Sequence, residues 1–98
     1  MKKLKPIHPG EVLLEEFLKP LGISQNRVGR EIGVPVPRIN AIVLEKRAIT
    51  ADTALRLGRY FGVSAQFWMN LQVRYDLDTQ EDLLGERLDI EVRSLKGA

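Results

Sequence analysis

Between Ser24 and Glu45 the chain reads SQNRVGREIGVPVPRINAIVLE, two short helical stretches divided by a glycine. Val28 and Ile32 stand four positions apart and share one face of the first stretch. Gly29 lies on that side and has no side chain, so a second helix can come close. Gly33 ends the first helix and supplies the positive φ of a sharp turn. Ile39 and Ile42 are three apart and pack the second helix back on the first. Val36, Pro37, Arg38, Asn40, Ala41 and Leu44 are left facing outwards. This spacing predicts a helix-turn-helix over about residues 24–45, a unit whose second helix lies in the major groove of DNA. A plain helical hairpin inside an all-α core has the same outline; agreement between the small residue, the turn glycine and the two apolar positions favours the DNA-binding form.

The 98 residues suffice for one small domain with one core. At 44% hydrophobic and 29% charged, the composition is that of an ordinary folded protein and not of a disordered chain. There is no cysteine, so neither a disulfide framework nor a thiolate metal site is expected. No apolar run has the length of a membrane span and the first residues do not resemble a signal peptide, so no membrane contact and a cytoplasmic location are expected. Charge is uneven. Residues 1–62 hold 11 basic and 6 acidic side chains, net +5, and residues 63–98 hold 4 and 7, net −3. A basic front and an acidic back suit two different partners, or two solvated faces.

In chain order, Lys2, Lys3 and Lys5 form a short basic arm that either follows a phosphate backbone or frays. Pro9 opens a helix to about Lys19, with Val12, Leu13, Leu14, Phe17, Leu18 and Leu21 as its buried stripe and Pro20 as its stop. His8, the single histidine, flanks the start of that helix with no catalytic partner nearby. Ser24 is an N-cap. Gln25 and Asn26 follow it as candidates for contacts to the DNA backbone, for bracing the next helix, or for simple capping. Pro35 and Pro37 fit the first turn of the second helix of the motif. Arg38 can pair with guanine and Asn40 with adenine, while Val36, Pro37 and Ala41 can touch a thymine methyl. So few polar readers leave room for readout of DNA shape. Lys46 and Arg47, just past that helix, are expected to hold phosphates.

Thr50 caps a helix over 51–61 with Ala54, Leu57 and Phe61 inward, and Arg56 and Arg59 solvated. Ser64 caps another over 65 to about 77, whose Phe67, Trp68, Leu71 and Tyr75 are read as core and not as base-stacking groups. Thr79 is expected to open a last segment, with Glu81 and Asp82 in its first turn. Over 88–95 the apolar residues fit a helix face and an alternating strand equally well. The expected organisation is all-α: a five-helix DNA-binding domain over 1–78 and a C-terminal extension over 79–98 for dimer or partner contacts. Asp76, Asp78, Glu81 and Asp82 make an acidic cluster without the glycine turn of a calcium loop. With one histidine, no cysteine and no nucleophile–base pair, no enzyme, cofactor or metal is expected.

Four runs, HPGEVLLEEFLKPLGIS from His8, RINAIV from Arg38, KRAITADTALRLGRYFG from Lys46 and FWMNLQVRYDL from Phe67, resemble in order and spacing the HigA-type (VapI-like) antitoxins of the lambda-repressor-like helix-turn-helix family. The resemblance implies a five-helix DNA-binding core and a homodimer on double-stranded operator DNA in a toxin–antitoxin promoter. It also implies neutralisation of a HigB-like, mRNA-cleaving toxin of the RelE kind. By position it makes Gln25, Val36, Pro37, Arg38, Asn40 and Ala41 DNA-facing; Pro35 stands where many relatives carry a capping Ser. A stand-alone repressor without a toxin is the alternative.

Overall fold

Chain folding into helices begins at His8, whose ring nitrogen Nδ1 accepts the Gly10 N–H at 2.9 Å and so caps the first turn. The computed structural model describes residues 5–96; Lys2 and Lys3 of the basic arm lie outside them. Helix α1 has three parts: Pro9–Val12, a π-helical stretch Leu13–Leu18, and Lys19–Leu21. In the middle part the N–H groups reach back five residues, as Lys19 does to the Leu14 carbonyl. That wider turn stands just before Pro20 and admits a residue that an ideal α-helix would reject. Pro20 therefore does not stop the helix, which ends at Gly22 in the left-handed conformation, φ 66°. The same widening rotates Leu21 off the buried stripe: expected inside, it is 59% exposed.

Helices α2 (Gln25–Ile32) and α3 (Val36–Val43) follow, then α4 (Ala51–Phe61), α5 (Ala65–Leu84) and α6 (Arg87–Glu91). The described residues are all-helical, with no strand. Ser24, Thr50 and Ser64 cap α2, α4 and α5 by accepting the N–H groups of Arg27, Thr53 and Phe67. Helix α5 runs on past the expected end near Leu77. Thr79 lies inside it instead of opening a new segment, because nothing between 65 and 84 breaks a helix; Gly85 does, with positive φ. Of the two alternatives over 88–95, the helix extends to Glu91, supported by an Arg87–Glu91 ion pair at 3.0 Å, and Val92 is extended.

The core joins Leu13 and Leu18 of α1, Val28 and Ile32 of α2, Ile39 and Ile42 of α3, Ala54 and Leu57 of α4 and Trp68 of α5. Val34 and Ile49 enter it from the connecting segments. Phe17 lies 4.9 Å from Phe61 and 5.0 Å from Trp68 between ring centroids, so the aromatics pack the interior as expected.

Candidate nucleic-acid interface

The angle between α2 and α3 is set by two glycines. A Cβ on Gly29 would meet the Val34 carbonyl at 3.0 Å and Val36 Cγ2 at 3.1 Å, so the crossing is as close as backbone allows. Gly33 takes φ 74°, and the Val34 N–H returns to the Gly29 carbonyl at 3.0 Å. Arg56, expected to be solvated, instead closes α2 from α4: its Nη1 donates to the Ile32 carbonyl at 2.9 Å while its Nε pairs with Asp52 at 2.7 Å. A cation at a helix C-terminus meets the negative end of the dipole there. Glu31 accepts bonds from the Tyr60 hydroxyl and from Arg27, and the Tyr60 bond holds its carboxyl below the usual range.

Helix α3 starts at the Pro35 carbonyl, which accepts the N–H groups of Arg38 and Ile39 at 2.9 and 3.2 Å. Pro35 and Pro37 need no donor in this first turn. With Ile39 and Ile42 fully buried, Pro37, Asn40 and Leu44 are exposed. Arg38 and Ala41 are half-buried, and Val36 is half-buried at Gly29. Gln25 and Asn26 sit in the first turn of α2, with Asn26 exposed and Gln25 half-buried. Ser24 does the capping there.

The helix ends in a way that no glycine announced. Glu45 adopts φ 63°, its N–H bonds the Ile42 carbonyl, and the Lys46 N–H bonds the Ala41 carbonyl, each at 2.9 Å. These two bonds make a Schellman cap with glutamate in the left-handed place, at a cost of about 1–2 kcal/mol. The turn throws Lys46 and Arg47 into solvent, both exposed. Further on, the Ile49 N–H is held at 2.8 Å by Oε1 of Gln72 on α5, a buried side chain whose Nε2 donates to Asp76 at 3.0 Å. Sequence reasoning missed Gln72 and Glu45, and neither carries a local signal: one acts across 23 residues and the other stands where Gly or Asn is usual.

Six of the described cations are committed within the molecule. Lys19, Arg27, Arg56, Arg74 and Arg87 form i,i+4 ion pairs, and Arg30 donates to the Asn26 carbonyl. Arg38, Lys46 and Arg47 have no such side-chain bond, nor do the exposed Lys5, Arg59, Arg93 and Lys96. The structure thus brings Arg38, Asn40, Lys46 and Arg47 onto one helix and the loop directly after it. Among the acidic residues of α5, Asp78 is paired with Arg74 and Asp76 with Gln72. No helix among the described residues is long and apolar enough to cross a membrane.

Two helices crossed at a glycine turn, with the outer face of the second open, define a helix-turn-helix DNA-binding protein. A helix-turn-helix family model, HTH_3, matches residues 14–68. The chain belongs to that family and, within it, to the HigA-type antitoxins, which are DNA-binding regulators and not enzymes. It is 54% identical over 79 residues to virulence-associated protein I of Dichelobacter nodosus, covering 81% of this chain and 73% of the relative. The Pseudomonas aeruginosa antitoxin HigA, solved with the higBA promoter, superposes with a TM-score of 0.88 at 50% identity, covering 92% of this chain and 98% of that one. Antitoxin GraA in complex with its operator gives 0.89 at 40% identity, over 97% and 96% of the two chains.

Proposed function

We propose that this chain is an autorepressing antitoxin, which binds operator DNA in its own promoter as a homodimer and neutralises a HigB-like mRNA-cleaving toxin in the cytoplasm. The observation that carries the DNA-binding half is the open face of α3, followed at once by a capped turn presenting Lys46 and Arg47. Two copies of α3 enter successive major grooves ~34 Å apart on one side of the duplex. Arg38 and Asn40 read base edges, with Val36, Pro37 and Ala41 against the methyl-bearing wall of the groove. Lys46 and Arg47 clamp phosphates, and Gln25 and Asn26 approach the backbone from the start of α2. Bound dimer excludes polymerase from the promoter. The promoter and operator complexes of HigA and GraA support this docking. The acidic C-terminal third, residues 63–98 with net −3, offers a surface suited to a basic ribonuclease.

Selection of duplexes from a random library by the purified protein, followed by mobility shift on the recovered site, tests the reading. Arg38→Ala is expected to cost about 1–3 kcal/mol on the selected site and to relax preference at one base position. Lys46→Ala is expected to weaken selected and scrambled duplexes alike and to lower the salt slope by about 1 for each phosphate no longer neutralised. If both variants reduced affinity and preference in the same proportion, the division of roles between them would fall.

A further inference from the structure

His8 is not part of the DNA-facing surface, and capping one helix does not require a buried imidazole. It is 2% exposed, and its ring meets Tyr75 of α5 edge-on with centroids 4.7 Å apart. Its Nδ1 accepts the Gly10 N–H at 2.9 Å. Gly10 in turn lies against the last turn of α3, so close that a Cβ there would stand 1.8 Å from the Ile42 carbonyl oxygen. One imidazole thus caps the turn of α1 whose Gly10 rests on the end of α3, and meets the middle of α5. We propose that His8 is a positioning residue for the DNA-binding face, holding α1 against the last turn of α3 only while its imidazole is neutral. The inference rests on the DNA-binding reading above.

The bond to Gly10 needs a lone pair on Nδ1, so the neutral ring must carry its proton on Nε2. A second proton turns Nδ1 into a donor facing the donor it was capping, and sets a positive charge at the positive end of a helix. The groups facing the ring are Glu45 beyond α3, with Asp76 and the Tyr75 ring on α5. Burial holds the imidazole below its ordinary value of 6.5, against the opposing pull of Glu45 and Asp76. Both carboxylates favour a charged ring, and both belong to the supports of the phosphate-holding loop. Glu45 is the left-handed residue of the α3 cap, and Asp76 accepts from Gln72, which holds Ile49. A proton on His8 therefore loosens the loop bearing Lys46 and Arg47 from both ends.

The unfolded chain binds this proton more readily than the folded one. The stabilisation from neutral His8 is complete above pH 6.5 and is lost as pH falls from there through the depressed folded value. His8 is the only histidine, so its ring signals in an NMR titration from pH 8 to 5 are unambiguous. The expected result is a midpoint below 6.5, the Nε2–H tautomer, and movement of the Ile42, Lys46 and Ile49 amides at that same midpoint. Affinity for the library-selected duplex should weaken about tenfold more between pH 7.5 and 5.5 in the native protein than in His8→Asn, whose amide oxygen keeps the cap and does not titrate. His8→Ser serves the same comparison if the Asn variant does not fold. A midpoint at or above 6.5, amides that ignore it, or parallel affinity profiles would each overturn the proposal. Failure to bind any duplex at pH 7.5 would overturn the DNA-binding reading, while the titration alone would still decide whether His8 ties α1 to α3.

Discussion

Gly10 illustrates how a single atom's absence can set the relation between two helices. No turn needs it, since its φ is helical, and its role is purely the space it leaves for the Ile42 carbonyl. The obstacle to a side chain is backbone, which cannot rotate aside as a flexible side chain would. Gly10→Ala is expected to cost about 3 kcal/mol despite alanine's better helix propensity. That corresponds to a drop of at least about 12 °C in thermal midpoint for a domain of this size, measurable by calorimetry. An unchanged or raised midpoint would mean that α1 does not rest on α3 in solution. Gly29 acts by the same logic and Gly33 by its positive φ, and both were legible in the sequence because their neighbours repeat at helical spacing on either side. Gly10 was not, because its obstacle comes from a residue 32 positions further along.

At the level of the helix, local chemistry announced the starts better than the ends. Ser24, Thr50 and Ser64 cap where their type and the following apolar spacing place them. The exposed arc of α3 was legible for the same reason: once Ile39 and Ile42 are committed inward, the remaining positions have one direction left. Ends were harder. Thr79 with Glu81 and Asp82 copies a helix-start signature inside α5, since a cap residue is silent when the backbone before it is already helical. The stop of α3 puts Glu45 where Gly or Asn is usual, and the clamp of Ile49 by Gln72 is a tertiary contact; neither leaves a local trace. Gln72→Leu removes the acceptor and leaves a buried N–H unpaired, at an expected cost of about 1–3 kcal/mol. Amide exchange reads this directly: the Ile49 N–H should lose protection while amides in the middle of α4 keep theirs. Equal protection of Ile49 in both proteins would show that Gln72 is not what holds the loop.

The molecule as a whole is longer than one core requires. Its radius of gyration is 16.6 Å and its extents are 53 × 27 × 21 Å, against about 13 Å expected for a compact domain of 100 residues. The excess length comes from the C-terminal end of α5 and from residues 85–96, a region in which Leu77, Leu83, Ile90, Val92 and Leu95 are 62–101% exposed. Such a concentration of apolar side chains at one end suits burial between copies, and a dimer is what two-groove docking requires. Ile90→Lys combined with Val92→Lys should therefore give a monomer by sedimentation. Neither residue has a place in the core, so the far-UV spectrum and thermal midpoint of the monomeric domain should be kept. The salt slope for the selected duplex supplies an independent reading. Four phosphate contacts from two copies of Lys46 and Arg47 give a slope near about −3.6, and one copy alone gives about half of that. A variant that stayed dimeric with the full slope would place the pairing surface elsewhere on the molecule. A monomer that kept the full slope would show that the phosphate contacts do not come in pairs from two copies.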